Sequence, residues 1–289
     1  MRQNAVIDII ERTAPLSVMA DWDHSGIQAA SPREEIRCLA VCLDPTPAQT
    51  AAAIRAGADM IVAHHPLAMH AQWTDKLNGY TDVLRLLYAH DIPLYSCHTT
   101  LDANPLGPAS WLPDELGLTQ RSLLEKTGVF CADGNEMDGG FGCSGTLPRP
   151  MPADDLLRSL ETLLPSGTMR LQARMIGTPP AIIKRVAVCT GSGSSLAEQA
   201  ILSGADIFIT GDVKYHDALA LHLRNGRQAS DHCTMAMLDV GHFSLEEEMM
   251  RRFAMLLQRQ MEGMRIVFLP GCDPFLPAIS FYQAQEVRP

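Results

Sequence analysis

Residues 36–66, IRCLAVCLDPTPAQTAAAIRAGADMIVAHHP, decide the fold. The stretch opens with an apolar run typical of a buried strand, crosses a polar turn and continues through an alanine-rich segment typical of a helix. It then enters a second apolar run, MIVA, after Gly57, and glycine is the residue that commonly ends a helix. We therefore predict a strand–helix–strand unit. Two adjacent histidines, His64 and His65, follow the second strand.

The chain contains this pattern a second time. Residues 183–213, IKRVAVCTGSGSSLAEQAILSGADIFITGDV, align with residues 36–66 without a gap, at a constant offset of 147 (183 minus 36). Nine of the 31 aligned positions are identical, including AVC and GAD. All βαβ units share a general pattern, which is the simpler explanation of such a likeness. Ungapped agreement down to GAD favours an internal duplication.

The likeness continues beyond the two units. Each is followed by a helical segment, another apolar strand, and a histidine with a carboxylate four residues later: His98 with Asp102, and His242 with Glu246. Alternating strands and helices predict mostly parallel sheets covered by helices. In such sheets functional groups collect beyond the carboxyl ends of the strands. Both histidine–carboxylate pairs are expected at such ends.

The predicted fold class is α/β, with two similar halves. Residues 1–118 form the first half, and residues 119–289 form the second, which gains strands from a glycine-rich segment and a long C-terminal helix. In that helix Ser244 and Glu247 have the spacing of a capping box. This interpretation assigns Glu247 a structural role and leaves Glu246 for a site.

The residues at the strand ends make a donor set for metal ions. Imidazole nitrogens and carboxylate oxygens without a thiolate suit zinc, iron, manganese or cobalt. A catalytic zinc usually takes three protein ligands and keeps one position open, so five donors indicate two ions that share a carboxylate. Taken singly, each residue has a simpler structural interpretation, such as a hydrogen-bonded histidine or a turn aspartate. The predicted ligands are His64, His65, Asp102, His242 and Glu246.

The composition bounds the possible functions. The 289 residues are 46% hydrophobic and 19% charged, a balance typical of a globular protein. The formal net charge is -10 and no basic run stands out, which argues against extended nucleic-acid binding. No apolar stretch is long enough to span a membrane, and no signal peptide is recognisable. Eight cysteines without a C-x-x-C pair favour a reducing, cytoplasmic location.

Several segments resemble the NIF-three-like family, whose members are often labelled GTP cyclohydrolase type 2 homologues. The segments occur in the family's order: ADMIVAHHPL, HTTLD, CTGSGSS, TGDVKYHDAL and LDVGHFSLE. DWDHSGIQ resembles the family's WDNVGLQ signature, with His24 and Ser25 in place of the usual Asn and Val. The resemblance spans nearly the whole chain, and the paired histidines with the terminal GH…E are its most specific part.

The resemblance implies a fold of two similar α/β halves with a dinuclear metal site in the cleft between them. The family's ligands fall on the five residues already reached from the strand ends. His98 and His216 match further motif positions, and we expect them to move protons or to touch the substrate. Family members often form toroidal hexamers, so the resemblance also implies a homohexamer.

Two functions from different classes remain open. The leading hypothesis is a hydrolase that uses two divalent ions (zinc, iron or manganese) on a nucleotide-like small molecule, as the cyclohydrolase label suggests. The alternative is a metal-binding regulatory or interaction protein without turnover. A Rossmann-type oxidoreductase is disfavoured because TGSGSS, residues 190–195, lacks the third glycine of a dinucleotide fingerprint. That turn either binds phosphate or is a tight structural turn.

Overall fold

The computed structural model describes residues 1–132, 134–165, 168–227 and 235–275. Its helices are α1 (Gln3–Thr13), α2 (Pro47–Arg55), α3 (Gly79–Ala89), α4 (Thr99–Asp102), α5 (Trp111–Glu115), α6 (Ala153–Leu163), α7 (Thr168–Leu171), α8 (Ala197–Leu202), α9 (Tyr215–Arg227) and α10 (His242–Gln260). Its strands are β1 (Gly26–Ala29), β2 (Cys38–Cys42), β3 (Met60–Ala63), β4 (Leu94–Ser96), β5 (Thr119–Ala132), β6 (Asn135–Pro152), β7 (Arg174–Ile176), β8 (Ile182–Ser192), β9 (Ile207–Gly211), β10 (Ala236–Asp239) and β11 (Arg265–Phe268). None of the helices in these residues is both long and apolar enough to cross a membrane.

The strands form two sheets that share the same order of four strands. The first sheet has the order β1-β4-β3-β2-β11, and the second has the order β5-β6-β8-β9-β10-β7. In each, three parallel strands (β2, β3, β4 and β8, β9, β10) follow one another, and an antiparallel strand (β1 or β7) pairs with the last of them. The α/β class is therefore confirmed, and this repeated topology agrees with the internal duplication.

The GAD motif has the same structural role in both sheets. Asp59 accepts hydrogen bonds from the backbone amides of Arg37 and Cys38 at the start of β2. Asp206, 147 residues later, accepts hydrogen bonds from the backbone amides of Lys184 and Arg185 in β8. The motif glycine ends the preceding helix with positive φ, 71° at Gly57. The motif therefore ends a helix and attaches the next strand to its parallel neighbour.

The chain divides into two compact units. The first consists of Met1–Asp114, Ser122–Cys143 and Glu246–Gly271, and the second consists of Glu115–Arg121, Ser144–Leu245 and Cys272–Pro289. β5 and β6 contribute residues to both units, and α10 passes from the second unit into the first within its second turn. The division of the duplication into residues 1–118 and 119–289, and a metal site in a cleft between two halves, remain predictions.

The strands that lead to the site in the first unit are buried along their whole length. All residues of β2, β3 and β4 are buried, as expected for central parallel strands covered on both faces. Their side chains pack against α2 and α3 in a core that includes Ala40, Ala53, Ile61, Val83 and Leu87. The carboxyl ends of β3 and β4 lie side by side, with Ala63 opposite Ser96. The residues that follow these two strands are therefore neighbours.

Candidate metal centre

His64 is held in one tautomer by the backbone. It lies directly after β3 and is completely buried. Its Nδ1 lies 2.9 Å from the carbonyl oxygen of Cys97, just after the neighbouring strand β4, and a carbonyl only accepts, so Nδ1 carries the proton and donates it. When the ring is neutral, Nε2 is therefore the nitrogen with a free lone pair and the one that can bind a metal.

Two carboxylates face this nitrogen. Nε2 of His64 lies 3.5 Å from Oε1 of Glu246 and 3.7 Å from Oδ2 of Asp102. Glu246 is 3% exposed, and Nε2 of His64 has no hydrogen-bond partner within the described residues. A lone pair and two carboxylate oxygens repel one another in a buried environment unless a cation lies among them. The donor set therefore fits a metal ion.

His65 lies between two carboxylates. Its Nδ1 donates to Oδ1 of Asp44 at 2.7 Å, and its Nε2 lies 3.1 Å from Oε2 of Glu246. Burial by itself lowers the pKa of His65, but the hydrogen bonds that its ring donates to Asp44 and Glu246 outweigh this effect and raise that pKa to about 10. In the metal-free protein Nε2 of His65 therefore carries a proton. That proton lies where a metal ion would have to bind this nitrogen.

His98 is oriented by a buried aspartate. Its Nδ1 donates to Oδ1 of Asp23 at 2.7 Å. Burial alone would raise the pKa of Asp23, but hydrogen bonds from His98, Thr99 and Ser25 hold it well below its ordinary value. The His98 ring centroid is 5.2 Å from that of His64 and 5.5 Å from that of His65. Ligand atoms of these three histidines lie within 4.8 Å of one another.

His242 is the first residue of α10, one helical turn before Glu246. Residues four apart lie on the same side of a helix, so its imidazole and the Glu246 carboxylate share one side of α10. His242, Glu246 and His65 form the second group of side chains whose ligand atoms are within 4.8 Å. Nδ1 of His242 donates to Oδ2 of Asp212 at 2.8 Å. Asp212 follows β9 in the left-handed conformation, with φ 53°.

Comparison with known proteins identifies the family to which this chain is similar. Residues 1–273 match the model of the Duf34/NIF3 family, NGG1p interacting factor 3. The chain belongs to this family. A Clostridium perfringens member, named a GTP cyclohydrolase 1 type 2 homolog, is 30% identical over 251 residues, which cover 85% of this chain and 87% of the relative. A Halobacterium salinarum protein of the same name is 34% identical over 204 residues, covering 69% and 76%.

Solved structures of similar proteins have the same fold. A Bacillus cereus protein related to NIF3 superposes with a TM-score of 0.79 at 20% identity, covering 96% of this chain and 99% of its own. A Staphylococcus aureus protein superposes with a TM-score of 0.77 at 25% identity, with the same coverage. The family resemblance inferred from the sequence motifs is confirmed, and so is the NIF3 fold.

His216, the other predicted proton carrier, has a different environment in this NIF3 protein. It is exposed in the first turn of α9, and its ring meets that of Tyr215 edge-on at 5.5 Å. Neither group of possible metal ligands among the described residues includes it. Its part in catalysis remains a prediction that rests on the family motif alone.

Sequence reasoning missed two residues that orient the histidines. Asp44 follows β2, the strand next to β3. The expectation that functional residues lie beyond the carboxyl ends of parallel strands, which selected His64 and His65, therefore applies to Asp44 as well. Asp23 lies 75 residues before His98 in DWDHSG and has no periodic signal. The family signature in which it stands was its only indication. In both cases the aspartate accepts from Nδ1 and leaves Nε2 for the site.

The predicted capping box of α10 is wrong. The helix begins at His242, two residues earlier than expected, so Ser244 already lies in the first turn. Its hydroxyl donates to the carbonyls of Val240 and Gly241, and Glu247 accepts from the amide of Gly271 at 2.6 Å. Glu247 is still a structural residue, but because it binds the amide of Gly271 and not because it caps the helix. Glu246 still faces the histidines.

The TGSGSS turn is used structurally. The amide of Gly193 donates to Oγ1 of Thr210 at 2.9 Å, and the hydroxyl of Ser194 donates to Oδ2 of Asp217 at 2.7 Å. A Cβ at Gly193 would come within 2.6 Å of both Cys189 and Thr210, so the glycine permits this close approach. A carboxylate on Ser194 disfavours a phosphate there, which supports the structural interpretation of the turn.

Proposed function

We propose that this protein binds two divalent metal ions and uses them to hydrolyse a nucleotide-like small molecule. The observation that carries the proposal is the environment of His64. Its buried Nε2 lone pair faces the oxygens of Glu246 and Asp102 at 3.5 and 3.7 Å. Two negative charges beside a lone pair are costly in a buried site, and a divalent ion removes that cost.

The two oxygens of Glu246 support two ions rather than one. Oε1 is the oxygen nearer His64, and Oε2 is the oxygen nearer His65. A carboxylate with one oxygen directed at each of two imidazoles is suited to bridge two ions. We assign His64 and Asp102 to one ion and His65 and His242 to the other. Zinc, iron and manganese all accept this set of nitrogen and oxygen donors.

The chain's own residues have distinct roles in the proposed reaction. When bound, two divalent ions supply a water of lowered pKa and polarise the electrophile. Asp23 stays ionised because the pKa of its carboxyl is held low, so it keeps the proton of His98 on Nδ1. Nε2 of His98 is then able to accept a proton from the attacking water and return it to the leaving group.

The substrate class rests on the relatives. The names of the Clostridium and Halobacterium proteins describe them as homologs of a GTP cyclohydrolase. By this likeness we propose a nucleotide such as GTP, with hydrolysis at a ring carbon or at phosphorus. A homohexamer is proposed on the same ground.

The proposal is tested by elemental analysis of protein purified without added metal. Two equivalents of a transition metal per chain are expected in the wild type, and fewer in His64→Ala. His90→Ala is the matched control, because His90 also pairs Nδ1 with a backbone carbonyl, that of Leu86, but lies exposed at the end of α3. Equal metal content in both variants would contradict the ligand assignment.

Turnover is tested separately, with the metal-loaded protein and a panel of nucleoside triphosphates. Metal-dependent release of product from GTP or a related nucleotide supports the hydrolase. Full metal loading without turnover on any nucleotide favours the regulatory metal-binding function instead.

A further inference from the structure

Trp22 is an exposed indole beside the candidate metal centre. The residue is 59% exposed, yet its ring centroid is 5.7 Å from that of His98, with the two rings at 73°. His98 in turn contacts the rings of His64 and His65. Aromatic rings therefore continue from the proposed ligands to the surface of the first unit.

The position of Trp22 is fixed by the residues that orient His98. The amide of Asp23 donates to the carbonyl of Ala20 at 2.9 Å and closes a tight turn in which Trp22 is the third residue. Both ends of the turn bind Thr99, the residue after His98. The amide of Ala20 donates to Oγ1 of Thr99 at 3.1 Å, and the amide of Thr99 donates to Oδ2 of Asp23, also at 3.1 Å.

A tryptophan is an unusual residue for such a turn. Gly, Asn, Asp, Ser and Pro dominate turns because each has a conformational or hydrogen-bonding advantage there. An indole adds no such advantage and leaves a large apolar surface in water, where burial would stabilise the fold. A planar ligand that stacks on the indole would cover this surface.

We infer that Trp22 binds the planar ring of the substrate by stacking and so places the rest of the substrate at the metal centre. This inference rests on the proposed function and names the residue that recognises the base. Stacking on an aromatic side chain accepts any nucleobase, because every base has a π-face. Trp22 therefore selects for an aromatic heterocycle, and the metal ions and His98 determine which bond reacts.

Trp73 provides an internal control. It is 87% exposed, in the irregular segment after His65, and it has no ring contact with a histidine among the described residues. Trp111, in contrast, is buried in α5. A signal from stacking on Trp22 is therefore separable from the two other tryptophans by substitution.

The experiment measures GTP binding to zinc-loaded protein by quenching of tryptophan fluorescence. Wild type and Trp73→Leu are expected to show the same saturable quenching. Trp22→Leu is expected to lose that quenching and to bind GTP about tenfold more weakly by calorimetry, the range typical of a lost base–aromatic stack. Trp22→Phe keeps an aromatic face and should recover most of the affinity. Inorganic triphosphate, which has no base, should bind wild type and Trp22→Leu equally.

Unchanged GTP affinity in Trp22→Leu would overturn the inference, and so would the absence of quenching by both GTP and ATP in the wild type. An equal loss of triphosphate binding would also overturn it, because the substitution would then act on the metal centre. A different result would contradict the proposed hydrolase function. In that case Trp22-dependent nucleotide binding persists, but no metal-dependent product forms.

Discussion

Nε2 of His64 lies 3.5 Å from Oε1 of Glu246, and both residues are almost completely buried. The imidazole reaches this point from the end of β3, whereas the carboxylate comes from α10, more than 180 residues later in the chain (246 minus 64 is 182). The Nδ1 proton of His64 is donated to a backbone carbonyl, so the ring meets the carboxylate with a lone pair. A cation between the two atoms resolves their repulsion, which makes Glu246 the most informative residue to change.

Glu246→Gln should weaken metal binding at least about tenfold, the lower end of the loss seen when even the partners of metal ligands are mutated. The substitution keeps the shape of the side chain and removes the charge that offsets the ions. Calorimetric titration of the metal-free protein with zinc measures the loss of affinity.

Glu247→Gln is the matched control for this prediction. Glu247 is the next residue of α10 and accepts from the amide of Gly271, an interaction that a glutamine oxygen can still make. Metal affinity should be unchanged, and the free energy of unfolding should fall by about 1 kcal/mol or less. Loss of metal in this variant but not in Glu246→Gln would reverse the assignment of the two glutamates.

Metal binding at pH 7.5 should release one proton from His65. Its pKa in the metal-free fold is raised to about 10, so the ring is protonated at this pH, whereas a metal ligand must be neutral. Metal affinity should therefore rise as the pH increases toward 10. Calorimetry in buffers of different ionisation enthalpy counts the protons, and His65→Gln should release about one fewer.

The same pKa gives the sign of the stability change in metal-free protein. The pKa of His65 is higher in the folded chain than the value of about 6.5 expected when unfolded. The stabilisation is therefore complete below about pH 6.5 and is lost as the pH rises toward 10. A metal-free wild type whose melting temperature does not fall relative to His65→Gln over this range would contradict the prediction.

His98→Gln should keep both metal ions and lower turnover by about 10²- to 10⁴-fold, the usual contribution of a general acid or base. Its Nδ1 is bound to Asp23, so the ring is oriented without any help from a metal. Metal content and turnover have to be measured on the same preparation. If the variant loses an ion, His98 is a ligand rather than a proton carrier.

Gly211→Ala should destabilise the protein by about 1–3 kcal/mol, as expected for overpacking. A Cβ at this position would lie 2.5 Å from the backbone nitrogen of His242, so the end of β9 or the start of α10 has to move. Chemical denaturation measures the change. Gly226→Ala is the control: Gly226 lies in the last turn of α9, a Cβ there meets nothing within 4 Å, and helices favour alanine over glycine.

The parts of the fold that depend on local pattern could be predicted from the sequence. The βαβ units were visible because buried parallel strands are continuous apolar runs, and the rule that side chains collect at strand ends led to His64 and His65. The structure brings these two residues together with Asp102 and Glu246, although their role as ligands is still a prediction.

The remaining parts depend on contacts that no local pattern encodes. The sequence pattern places the start of α10 two residues too late because Ser244 and Glu247 have the spacing of a capping box, whereas the helix begins at His242, directly after Gly241. The pairing of β11 with β2 joins segments more than 220 residues apart (265 minus 38 is 227), and no periodicity reports such a partner.

The Nδ1 partners of His64, His65 and His98 have a consequence for how quickly an ion is taken up. The carbonyl of Cys97 and the carboxylates of Asp44 and Asp23 hold these rings before any ion arrives. The rotameric entropy of the rings is therefore lost during folding rather than during loading. Uptake then has no conformational search to wait for, and its rate is set by how readily the arriving ion sheds its own water shell and the His65 ring gives up its proton.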